Sequence, residues 1–230
     1  MSGFGFAMSE FPPGVGRDRF PAAEREHIQS IESVLRDLGD CCAEFEAAYY
    51  LFEESRGAQA NLPKPPREVD DQRRCKIINR WPSIAARDAS MTVYHFGRHL
   101  DGLHQSLRWC PTLRSVIDSK KLRLASKLFV GNFRFYVRLR HAIAHSAERT
   151  NTAQAFRKHA MSGTFQNKFV KATNVGSVMI QGLYGNEFNA IWEGQMYACE
   201  ISLNTHAKLL STKYAYWEVF REVETAELPG

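Results

Sequence analysis

The chain has 230 residues, 44% hydrophobic and 12% aromatic, enough for one good-sized folded domain or two small ones. No apolar run approaches the ~20 residues that span a bilayer, and the opening "MSGFGFAMSEFPPGVGRDRF" has no basic segment followed by an apolar core, so neither membrane insertion nor a secretory leader is expected. The net charge of +5 is uneven: −5 over residues 1–65 (6 Lys/Arg against 11 Asp/Glu), +10 over 66–150 (17 against 7) and zero over 151–230 (7 against 7).

Residues 1–20, rich in Gly, Pro and Phe without periodicity, read as a loosely held N-terminus, with a single domain over 21–230. A first helix is predicted from about 22 to 56, where Ile28, Ile31, Leu35, Leu38, Cys42, Phe45, Tyr49 and Phe52 recur at spacings of three and four. "GAQANLPKPPREVDDQRR" reads as a Pro-rich loop. A second helix follows "WPS", with Ser83 as N-cap, and runs to about Leu107 on a stripe of Val93, Phe96, Leu100, Leu103 and Leu107. Asp88, His95 and His99 lie on another of its faces, beside Arg98. A long third helix is expected from about 112 to 145, packed through Leu122, Leu128, Phe129, Phe133, Tyr136, Val137 and Ile143. Arg134, Arg138, His141 and His145, at offsets of 4, 7 and 11, would line its other side.

After Gly163 the β-branched and aromatic content rises, and Gly-containing turns fall at "YGNE" and "EGQ". A two- or three-stranded antiparallel meander is expected over about 175–202. A last helix, about 204 to 223, carries Ala207, Leu210, Tyr214, Trp217 and Phe220. The fold class is mainly α, with a small β-meander inserted before the final helix.

The chemistry concentrates in "RLRHAIAHS", residues 138–146. Two arginines and two histidines in nine residues are more than a packed helix needs. His141 and His145 are one turn apart. On a regular helix Arg140 and His145 diverge by about 140°, at ~100° per residue. They share a site only if Arg140 wraps round, the helix distorts, or a second protomer completes the cleft. A basic block suits a polyanion such as nucleic acid, although a solvated basic face has the same composition.

Arg140-His141-Ala142-Ile143-Ala144-His145 resembles the R-x(4–6)-H motif of the HEPN superfamily, in which a polar residue often follows the Arg. The resemblance implies an up-and-down helical bundle over about 22–223 and, in the family's enzymes, metal-independent RNA cleavage. It casts Arg140 as phosphate clamp and His145 as general base or acid. His141, Asp88 and Arg138 are supporting residues: His141 to orient His145 or hold the backbone, and Asp88 to pair with a motif cation. The chemistry fits, since the 2′-hydroxyl needs a base near neutral pH and the phosphorane needs a fixed cation. The expected products are a 2′,3′-cyclic phosphate and a 5′-hydroxyl.

The resemblance further implies RNA as partner, a homodimer, an antitoxin or regulatory protein as a further partner, and a toxin, defence or stress setting in prokaryotes. Its alternative is a catalytically silent HEPN-like module that binds nucleotide, RNA or a partner protein. Some members carry a Tyr two residues after the His as a modification site; here Ala147 stands there.

Neither cofactor nor metal is expected. His95/His99 and His141/His145 have metal-ligand spacing, and a metal-binding hydrolase is the third reading. However, H-E-x-x-H is absent, and Arg98 and Arg140 would repel a cation. "VGNFRFYVR" interleaves aromatic and basic residues, which suits base stacking, but helix packing explains Phe133 and Tyr136 more simply. There is no Walker loop and no G-x-S-x-G, and "GFGF" lacks a preceding strand. Cys41, Cys42, Cys75, Cys110 and Cys199 form neither a disulfide framework nor a C-x-x-C pattern, so a reduced, cytoplasmic protein is expected.

Overall fold

A computed structural model describes residues 11–62, 69–166 and 171–228. The chain is mostly helical, with a small antiparallel sheet of two plus three strands before the last helix. The helices are α1 (Arg25–Ala60), α2 (Val69–Ile78), α3 (Trp81–Leu107), α4 (Pro111–Val116), α5 (Ser119–Asn132), α6 (Tyr136–Ala144), α7 (Ala153–His159) and α8 (Leu203–Thr225). The strands are β1 (Met161–Gln166), β2 (Lys171–Val178), β3 (Gln181–Tyr184), β4 (Glu187–Trp192) and β5 (Gln195–Glu200). No helix among the described residues is long and apolar enough to cross a membrane.

Two compact units divide the chain. One takes Met1–Cys42, His95–Arg134 and Ala207–Gly230; the other takes Ala43–Tyr94 and Phe135–His206. In the first, the expected stripes meet: Ile28, Ile31, Leu35 and Leu38 of α1, Phe96 and Leu103 of α3, Phe129 of α5, and Trp217 and Phe220 of α8 are all buried. Phe96 stacks on Phe129 at 5.5 Å, and the Trp217 indole N–H donates to the Leu35 carbonyl at 2.8 Å. An aromatic pair of this kind adds about 0.5–1.5 kcal/mol to its area burial.

The start of the chain departs from expectation. Val15 and Phe20 are buried, and the Val15 and Gly16 N–H groups donate to the Glu32 carboxylate. Two apolar side chains and a carboxylate on α1 hold a segment whose composition lacks any period. Residues 1–10 lie outside the described residues.

The expected third helix is three helices. The backbone is extended at Ile117, and Asp118 then caps α5 by accepting from the N–H groups of Lys120 and Lys121. A second break at 133–135 separates α5 from α6. Each break resets the helical phase. Leu128 and Val137 are therefore exposed, and Arg134 precedes α6 instead of sharing one stripe with Arg138, His141 and His145. Likewise α3 begins at Trp81, which puts Ser83 inside its first turn, and part of the expected Pro-rich loop is the helix α2. Residues 63–68 of that loop lie outside the described residues.

The second unit holds both sheets. β3, β4 and β5 form the expected meander, in register from Gln181↔Ala190 to Trp192↔Gln195. Its turns use left-handed backbone: Gly185 at φ +61° in one, Glu193 at +50° and Gly194 at +73° in the other. A β1–β2 hairpin precedes it, with bulges beside Gly163. α6 packs on β4 and β5, burying Leu139, Ala142 and Ile143.

Candidate active site

α6 ends at Ala144, and the helix end assembles the site. His145 is its C-cap, at φ −100° and ψ 28°, and residues 145–150 continue as turns. That turn is held by Arg149. Its backbone N–H donates to the His145 carbonyl at 3.2 Å, while its fully buried guanidinium donates to the Ile191 carbonyl, the Gln181 side chain and the Met179 sulfur. Burial pushes the Arg149 pKa down, yet a guanidinium keeps its proton in a protein. A buried cation with neutral acceptors draws the chain off the helical path and onto the sheet.

The angular divergence between Arg140 and His145 does not keep their side chains apart. Arg140 Nη1 lies 3.5 Å from His145 Nε2 within one chain. The Arg140 guanidinium sits over the Tyr94 ring, 5.5 Å from its centroid, and its Nε is buried without a hydrogen-bond partner among the described residues. On the other side of the imidazole, Nδ1 lies 2.7 Å from Glu148 Oε2. The carboxylate can only accept, so Nδ1 carries the proton and the Nε2 lone pair faces Arg140. The His145 side chain retains 33% of its surface exposed.

The remaining members come from the sheet. Trp192, at the end of β4, has His141, His145 and His159 around it, with centroid distances of 5.8, 5.9 and 4.2 Å. His141 also stacks on His145 at 5.9 Å. Burial, then the charges of Arg140, His145 and Arg138, push the His141 pKa below its ordinary 6.5, with Glu193 acting the other way. His159 is buried at the end of α7, and burial lowers its pKa too. Its Nδ1 accepts the Glu193 N–H at 3.3 Å, which requires a neutral ring. Arg138 pairs with Glu193 at 2.6 Å.

Of the expected residues, the fold brings Arg140, His141 and His145 together and places Arg138 on the same helix. Asp88 is exposed on α3, and no ion pair joins its carboxylate to a motif cation among the described residues. The acids that face the motif are Glu148 and Glu193. His99, half of the other i, i+4 pair, turns to Asp37 at 3.4 Å. Sequence reading missed Glu148, although its place three residues after His145 made a local carboxylate–imidazole pair visible. Trp192, His159 and Tyr94 were not, because only the tertiary fold brings them near.

No protein-family model matches the chain, and no curated protein or solved structure is significantly similar to it.

Proposed function

We propose that the chain is a metal-independent endoribonuclease of the HEPN type, acting in the cytoplasm in a prokaryotic toxin, defence or stress system. The Arg140–His145–Glu148 relay carries this reading: an imidazole oriented by a carboxylate at Nδ1, with its basic Nε2 facing a guanidinium. Such a relay suits transesterification by the RNA's own 2′-hydroxyl. The hydroxyl proton passes to His145 Nε2, and Glu148 stabilises the imidazolium that forms. The 2′-oxygen attacks phosphorus, the bond to the 5′-oxygen breaks, and Arg140 balances the charge on the non-bridging oxygens. The products are a 2′,3′-cyclic phosphate and a 5′-hydroxyl.

In-line attack sets the departing 5′-oxygen opposite the 2′-oxygen, so a second group must return its proton. A two-fold copy of the site would supply a second His145, and a homodimer is therefore part of the proposal. The 3.5 Å approach of Arg140 to His145 means that a dimer is not needed to bring those two residues together.

The decisive experiment incubates purified protein with total RNA, with and without EDTA, and analyses the new ends. Cyclic phosphate ends that form equally in EDTA support the reading. RNA binding without cleavage points to the silent module instead. Cleavage abolished by EDTA overturns metal independence.

A further inference from the structure

We infer that a cleft formed by the end of α3, α4 and the start of α5 binds a compact, multiply charged phosphate compound bearing an apolar ring or chain. The cleft measures about 470 Å³, within the ~300–1,000 Å³ range of small-molecule sites. It lies wholly within the first unit and does not rest on the ribonuclease reading.

Three arginines from three separate elements line it: Arg108 after α3, Arg114 on α4 and Arg123 on α5. All three are exposed, and none makes an ion pair among the described residues. The carboxylates nearby in the chain and fold are committed elsewhere. Asp118 accepts from the backbone at the start of α5, and Glu24 accepts from the Thr112 and Leu113 N–H groups at the start of α4. Asp101 pairs with Arg98, and Glu218 and Glu222 pair with Lys121. Three guanidinium groups around one hollow repel each other unless an anion joins them, and phosphate oxygens match their planar fork.

The charge pattern agrees. Residues 95–134 hold 8 Lys/Arg against 2 Asp/Glu, whereas 135–150, which carry the R-x4-H segment, hold 3 against 1. Most of the +10 excess of residues 66–150 thus falls in the segment that forms the cleft.

The cleft is also built rigidly. Glu24 is buried and fixes α4, and Asp118 caps α5. On its inner side His104, Ser126 and Tyr216 close a triangle of hydrogen bonds at 2.9–3.0 Å. Burial lowers the His104 pKa, so at neutral pH the ring is a polar neighbour and not a fourth cation. Leu107, Ile117 and Leu122 supply an apolar wall beside the arginines, which is why a bare inorganic anion would leave part of the cleft unused.

The test is isothermal titration of the full chain with pyrophosphate and with ADP at low salt. Saturable binding of both is expected, with ADP the tighter because its ring covers the apolar wall. Arg114→Ala and Arg123→Ala should each weaken ADP by about tenfold, which corresponds to about 1.4 kcal/mol, and Arg123→Lys should recover part of the loss. Both arginines are exposed, so circular dichroism should show intact folds. Arg140→Ala should leave ADP affinity unchanged, which separates this site from the R-x4-H segment. The proposal is overturned by no saturable binding of either probe, by ADP binding no tighter than pyrophosphate, or by cleft variants that bind like the parent. It is overturned equally if Arg140→Ala loses ADP, or if a short RNA displaces ADP as readily as unlabelled ADP does.

Discussion

Glu148 Oε2 lies 2.7 Å from His145 Nδ1, and that one contact decides which nitrogen of the imidazole faces Arg140. Replacing His145 with Ala should abolish RNA cleavage and leave the fold intact, since a positioned acid–base group contributes roughly 10²–10⁴-fold. Glu148→Gln should cost less, about tenfold, because Gln offers an amide oxygen to Nδ1–H but no charge to hold the imidazolium. Its pH–rate profile should shift as well, an effect a purely structural role would not produce. A folded His145→Ala protein with full activity overturns the mechanism.

Arg140→Ala should also be inactive. Arg140→Lys should recover little, because an ammonium cannot make two parallel contacts to a phosphate, nor stack on Tyr94 as a planar guanidinium does. Rates at saturating RNA distinguish the cases: recovery by Lys to near the parental rate would reduce Arg140 to a simple charge.

Acid should weaken the fold before carboxylates titrate. His104, His141 and His159 each have a folded-state pKa below the ordinary 6.5, with burial the first cause. Between those values and 6.5 the unfolded chain binds more protons than the folded one, so stability is complete above that window and falls as pH drops through it. Thermal melts at pH 7.5 and 5.5 should show a lower Tm in acid. His159→Gln should narrow the gap, since the amide can still accept the Glu193 N–H and takes no proton. An unchanged gap would remove His159 from the account.

RNA binding should weaken steeply as salt rises, because the basic excess of residues 66–150 would release counterions from the phosphate backbone. Titrations at low and moderate salt measure the slope, and an affinity indifferent to salt would contradict an electrostatic interface.

The proposed two-fold arrangement predicts that specific activity falls on dilution as a dimer separates. Light scattering paired with an activity titration checks this. A monomer whose specific activity is constant over the range would leave the second proton transfer without its donor.

The long stripes on α1 and α3 were legible because each buries one continuous face, whereas on α8 only Trp217 and Phe220 of the expected stripe are buried: Ala207 is exposed, and Leu209, Thr212 and Tyr216 face inward in place of Leu210 and Tyr214. The two breaks in the expected third helix were not. Neither Ile117–Asp118 nor Phe133–Phe135 contains Gly or Pro, and the signal that mattered was the capping carboxylate of Asp118. The β3–β5 meander announced itself through "YGNE" and "EGQ". The β1–β2 pair did not, because "MSGTFQ" and "KATNVGSV" are polar and their register is irregular. At the site, Arg140 and His145 were singled out by their resemblance to the R-x(4–6)-H motif. Their meeting was not foreseeable, since it depends on where two long side chains settle across a helix that separates them by about 140°.

Arg149 has a consequence for how the molecule breathes. Its guanidinium fastens the turn that carries His145 to β3 and β4, so the turn cannot lift away unless a buried cation loses its acceptors at the same moment. Turns that border an active site commonly open at little cost, well before the global transition. Here the amides of His145 and Arg149, which keep hydrogen bonds to the His141 and His145 carbonyls, should instead exchange with solvent as slowly as those of β4, as one cooperative group, and Arg149→Met should uncouple the two. Substrate would then be met by side-chain rotation on a fixed backbone, with no loop closure in the catalytic cycle.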